Sequence, residues 1–96
     1  MIRHTVAFTL RHPACSEGKR DFFKEALVLS EIPGVRNFEQ LRQVSRKCAF
    51  TFGFSMEFDD QAAYDAYNSH PLHTAFVETF WKTQVADFQE TDYVTL

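Results

Sequence analysis

The first ten residues alternate, with Ile2, His4, Val6, Phe8 and Leu10 on one side and Arg3, Thr5, Ala7 and Thr9 on the other. A period of two predicts a strand with two unlike faces. After residues 11–16, which include Pro13 and end on a serine suited to an N-cap, the period lengthens. Phe22, Phe23, Ala26, Leu27 and Ser30 then recur at helical spacing, which predicts a helix from Glu17 to Glu31. Ile32-Pro33-Gly34-Val35 stops it, because proline cannot continue a helix and glycine allows the turn into an extended segment. A second strand is expected from Arg36 to Ser45, with Phe38 and Leu41 out of strict phase, the mark of a bulge.

The clearest alternation runs from Ala49 to Phe58 and puts Phe50, Phe52, Phe54, Met56 and Phe58 on one face. Each large apolar side chain stabilises by about 1.5–3 kcal/mol when buried, so most of this stripe is core, with room for one or two members to line a pocket. Asp59-Asp60 then offers N-cap chemistry for a helix from Gln61 to Ser69 with Ala63, Tyr64 and Tyr67 inside. At His70-Pro71 that helix should end and another begin, since the residue before proline avoids the helical region while proline suits a first turn. Leu72, Ala75, Phe76, Thr79 and Phe80 form the stripe of this last helix, and a fourth strand is expected from Gln84 to Thr95. The order β-α-β-β-α-α-β is an α+β, ferredoxin-like plan in one domain, with a four-stranded antiparallel sheet and helices on one face. Thr5, Ala7, Thr9, Thr51, Gly53 and Ser55 would line the other face. These small residues suit close approach by a second sheet, which predicts a homodimer closed into an α/β barrel.

Composition narrows the partners. The net charge of −3, with scattered Lys and Arg, leaves no footprint for nucleic acid or an anionic membrane. No stretch reaches membrane-spanning length, the first residues lack the pattern of a secretory signal, and Cys15 and Cys48 form no metal or disulfide framework. Reduced thiols in the cytoplasm are the expectation.

The chemistry concentrates in Tyr67-Asn68-Ser69-His70-Pro71-Leu72-His73. If Pro71 opens a helix, His73 lies in the first turn, where the macrodipole disfavours a proton and keeps the imidazole neutral, as a general base must be. Tyr67 on the preceding helix offers a phenolic donor to a carbonyl or enolate oxygen. His4, on the apolar side of the first strand, is either a hydrogen-bonded core histidine or part of the same site. His70 is either a helix cap or a binding residue. No Gly-rich phosphate loop or nucleophile elbow is present. No Cys or carboxylate stands at ligand spacing to the histidines, so no metal is expected.

The opening Ile2-Arg3-His4-Thr5-Val6, the Ile32-Pro33-Gly34-Val35 turn, Met56-Glu57-Phe58-Asp59 and above all Tyr-x-x-His-Pro-x-His at residues 67–73 resemble the stress-responsive dimeric α/β-barrel (Dabb) family, over essentially the whole chain. That family includes non-enzymatic stress proteins and a plant polyketide cyclase that works without metal or cofactor. The resemblance to the cyclase implies His73 as the base that removes a carbon-bound proton and Tyr67 as the donor that polarises the carbonyl. It implies His4 nearby, and Phe23 and Phe54 as lining of an apolar pocket; Phe52 stands where the cyclase has a histidine. The leading reading is therefore a homodimer that binds a small apolar carbonyl or aromatic compound through His4, Phe23, Phe54, His70 and Phe76, with cofactor-free acid/base catalysis by Tyr67 and His73. A non-catalytic stress-related assembly protein and a cofactor-independent oxygenase are the alternatives.

Overall fold

Strand β1 (Ile2–Leu10) runs between β3 (Phe52–Phe58) and β4 (Val85–Tyr93), and β2 (Arg36–Arg42) closes the edge beyond β3. All three pairings are antiparallel, which gives the ferredoxin-like α+β sheet that the pattern predicts. The computed structural model describes residues 1–13 and 15–96. Helices α1 (Glu17–Ala26), α2 (Gln61–Ser69) and α3 (Pro71–Phe76) supply the second layer.

Local chemistry sets the helix ends. The Ser16 hydroxyl accepts from the Lys19 amide at 3.2 Å and the Asp60 carboxylate from the Ala63 amide at 2.9 Å, each satisfying a free first-turn donor. The expected helix to Glu31 is α-helical only to Ala26; Leu27–Glu31 tightens into a 3₁₀ turn, with the Ser30 hydroxyl on the Leu27 carbonyl at 2.7 Å. Pro71 opens α3 as expected, and that helix passes through a π-helical turn, Val77–Trp81, before a last helical turn, Lys82–Gln84.

Strands β2 and β3 are shorter than the alternation suggests. Between them Gln43 donates from its side chain to the carbonyls of Cys48 and Phe50, so side-chain bonds organise part of residues 43–51. Phe50 accordingly falls outside β3 and is only half-buried. The irregularity anticipated in β2 lies between Arg36 and Glu39, where three steps on β2 match two on β3. Asn37 sits there at φ 51°, a conformation that asparagine tolerates better than most residues. Phe38 consequently faces the helices, 5.5 Å from Phe54, while Leu41 emerges on the open face.

A second irregularity decides the site. Phe8 pairs with Phe88 and Thr9 with Asp87, but Leu10 pairs with Val85. The extra residue, Ala86, turns Val85 to the same face as Phe88, which strict alternation would put on opposite faces. The core beneath α1 is aromatic: Phe8, Phe22 and Phe58 are fully buried, and Phe8 and Phe54 lie 4.8 Å apart, within the range for favourable tilted pairs.

Candidate active-site pocket

A cavity of about 470 Å³ opens between the β1–β4 side of the sheet and α3 with its π-helical continuation. Val6, Leu29, Phe54, Met56, Phe76 and Trp81 form its apolar wall, while His4, Tyr67, Asn68, His73, Lys82 and Glu90 bring polar atoms to it. An apolar cavity of this size with a few convergent polar groups is the usual form of a small-molecule site.

Its two histidines are each held through Nδ1, which leaves Nε2 without a partner among the described residues. His73 Nδ1 lies 3.0 Å from the Asn68 carbonyl. A carbonyl only accepts, so Nδ1 carries the hydrogen and Nε2 of the neutral ring keeps its lone pair. Burial holds this imidazole below its ordinary 6.5, helped by the nearby His4 ring and opposed by the Asn68 bond and by Glu90. The direction matches the expectation from the helix start, but desolvation is the main cause.

Tyr67 packs against His73 with ring centroids 4.5 Å apart. Its hydroxyl has no hydrogen-bond partner among the described residues, yet no fully enclosed side-chain nitrogen or oxygen there goes unpaired, so the hydroxyl opens on the cavity. Burial, with Tyr64 and Glu90 adding to it, pushes this phenol above its usual range, so it remains a donor at neutral pH.

His4 is buried at 6% exposure and does not stand alone. Its Nδ1 lies 2.6 Å from Asp92 Oδ1, and Tyr64 donates to Asp92 Oδ2 at 2.8 Å while touching the same Nδ1 at 2.9 Å. The Asp92 carboxylate thus accepts from both rings, which fixes His4 with its hydrogen on Nδ1 and leaves Nε2 without a described partner.

Of the residues singled out from sequence, His4, Phe54, Tyr67, His73 and Phe76 meet at this cavity. Phe23 does not line it; it packs behind Phe54 at 5.9 Å and faces a second depression. His70 is the N-cap of α3, its Nδ1 accepting from the Leu72 amide at 3.1 Å, and it too stands outside the lining. Glu90 and Trp81 reach the lining, and Asp92 and the Tyr64 hydroxyl reach His4, only through folding. The carboxylate that orients His4 lies 88 positions further along the chain, a partnership that only the β1–β4 register shows.

Fold and pocket define a ferredoxin-like α+β protein with a ligand-sized cavity between sheet and helices. The chain belongs to the Stress responsive A/B Barrel Domain (Dabb) family, whose profile matches residues 2–95. A Dabb family protein with a ferredoxin-like fold from Mesorhizobium loti is 55% identical, with a TM-score of 0.97 over 99% of this chain and 96% of that one. A stress-response A/B barrel domain-containing protein of Arabidopsis thaliana is 37% identical over 62 residues, 55% of this chain and 51% of that protein, so the match spans about half the length of that relative. A dimeric ferredoxin-like protein of unknown function from Thermobifida fusca shares the fold at 19% identity, with a TM-score of 0.80 over 98% of this chain and 90% of that one.

Proposed function

We propose that the chain is a homodimeric binder of a small, neutral, largely apolar carbonyl or aromatic compound, and that His73 and Tyr67 act on it by acid/base chemistry without a cofactor. The observation that carries this reading is the pairing in one cavity of a histidine whose Nε2 is left free by the Asn68 bond with a tyrosine whose hydroxyl has no described partner. His73 Nε2 would take a proton from the carbon beside a carbonyl, the electron pair would move onto the carbonyl oxygen, and Tyr67 would donate a hydrogen bond to that oxygen. Return of the proton from His73 restores both partners. Glu90 at the same cavity opposes anionic ligands, and the Lys82 ammonium is engaged by Glu78 at 2.6 Å, so a neutral substrate fits best.

The dimer reading rests on the sheet face without helices. Ala7 and Gly53 are directly opposed at its centre, and Leu41 and Tyr93, about half exposed, stand towards its edges. A second sheet on this face would cover both, and the Thermobifida fusca relative is a dimer of the same fold. Cys15 and Cys48 are free thiols, which suits the reducing cytoplasm, and no helix among the described residues is long and apolar enough to cross a membrane. A purely structural role as an assembly protein needs no cavity; the roughly 470 Å³ left open favours binding.

The test is exchange of α-protons in deuterated buffer, followed by proton NMR on neutral aryl ketones such as phenylacetone, together with thermal shift on the same compounds. Wild-type protein should be stabilised by ligand and accelerate exchange, His73→Ala should lose about a hundredfold or more of that rate, and Tyr67→Phe should bind but exchange slowly. If no ketone binds or exchanges and both variants merely melt earlier, the structural role replaces the catalytic one.

A further inference from the structure

On the other side of the phenylalanine wall, α1 and β2 border a second, open depression of about 390 Å³. Its floor is Phe23 and Phe52, which meet edge to face at 5.0 Å, and its rim carries Lys19, Arg20 and Arg42. Among the described residues no carboxylate lines it. Lys19 Nζ sits 5.9 Å from the Phe23 ring centroid and 5.6 Å from that of Phe52, within cation–π range. The Arg20 guanidinium is tethered to the Cys15 carbonyl at 3.3 Å, and the Gln40 amide to the Phe23 carbonyl at 2.7 Å.

These cations have no acidic partner among the described residues. Among the described residues the ion pairs join Arg3 to Glu57, His4 to Asp92, Arg36 to Asp59 and Lys82 to Glu78, and none involves the three at the rim. They stand out in a chain of net charge −3, which leaves seven basic residues against thirteen acidic ones elsewhere. A field of this kind attracts anions locally, while the acidic remainder repels an extended polyanion such as nucleic acid or an anionic membrane. Positive charge over a floor of rings matches a ligand with a flat apolar body and one anionic end.

We propose that this depression is a second binding site, separate from the histidine cavity, for a small aromatic carboxylate. The ligand's ring would lie on Phe23 and Phe52, and its carboxylate would accept from Lys19 and Arg42 in charge-assisted bonds. The two sites are opposed in sign: Glu90 makes the cavity unfavourable to an anion, and the depression is unfavourable to a cation.

The experiment is a benzoate titration of the intact protein, at low salt, followed by amide chemical shifts. Benzyl alcohol and inorganic phosphate serve as parallel probes, one lacking the charge and the other the ring. Benzoate should bind saturably and move the amides of Lys19, Arg20, Phe23 and Arg42. Lys19→Gln and Arg42→Gln should each weaken it about tenfold, with Lys19→Arg restoring part of the loss. Melting temperatures equal to wild type show that both variants are folded, and His73→Ala should bind benzoate as wild type does. The proposal falls if benzoate does not saturate, if its shifts map to His4 and His73, or if benzyl alcohol binds equally well. Phosphate binding as tightly as benzoate would show that charge alone is read, and would overturn the assignment to an aromatic carboxylate.

Discussion

Strands β3 and β4 flank the same central strand, yet they end in opposite environments. The side chains that β3 turns towards the helices, Phe52, Phe54, Met56 and Phe58, are 8% exposed or less, whereas Phe88 on β4 is 48% exposed and Glu90 and Asp92 stand beside it. Helix α1 brings Phe22 and Ala26 down onto the β3 side and fills it with rings. Across β4, α3 and its π-helical turn leave a cavity instead, with Trp81 edge-on to Phe88 at 5.5 Å. One half of the sheet face is closely packed core and the other half lines the cavity. A closely packed half is what allows the other to carry polar groups and open volume, because each such group weakens packing where it stands.

The largest expected contrast is thermodynamic. Phe22→Ala removes a fully buried ring from the filled half and should cost about 3–5 kcal/mol in denaturant unfolding, while Phe88→Ala at the open half should cost less than about 1 kcal/mol. Equal losses would mean that the two halves are equally packed. Next comes Asp92→Asn, which keeps the shape but removes the charge holding His4. If His4 is oriented for catalysis, α-proton exchange should fall by about tenfold with little change in ligand-induced thermal shift. A loss of stability without loss of exchange would make the His4–Asp92–Tyr64 cluster purely structural.

The pH dependence of stability gives a smaller effect. Because burial holds folded His73 below 6.5, the unfolded chain takes the proton first as pH falls. The stability this group contributes is fully present above 6.5 and is lost as pH drops through the lowered folded value. Thermal unfolding from pH 7.5 downward should show that slope, and His73→Asn, whose amide nitrogen takes the place of Nδ1 and can still donate to the Asn68 carbonyl, should flatten it. The smallest effect is selectivity: Glu90→Gln should improve the affinity of a carboxylate analogue in the cavity by about twofold, as expected for an exposed charge, and leave a neutral ketone unchanged. Equal changes for both ligands would remove Glu90 from the account of specificity.

Much of this was legible in the chain. The two-residue period of Ile2–Leu10 and the Phe-rich alternation mark strands, because a sheet with one buried face needs every second side chain apolar. Asp60 and His70-Pro71 mark helix starts, because free amides and a fixed φ act locally. The closeness of Tyr67 and His73 follows from two helices joined at one proline. Phe23 shows where such reading stops. Its helical spacing marks it as inward-facing, but only the packing of α1 against β2 separates the depression it lines from the histidine cavity.

By itself, then, the sequence determined the order of the main elements, the apolar faces of β1 and β3 and which residues carry titratable groups, since these depend on contacts within a few positions. Tertiary structure alone decided that Ala86 shifts the phase of β4, that Asp92 reaches His4 across 88 positions, and that α3 leaves a cavity over β4 while α1 packs its Phe22 closely onto Phe8 and Phe54. The physical reason is that strand register and the fit between layers are settled by the whole set of side chains competing for the same space, a competition that no local pattern records.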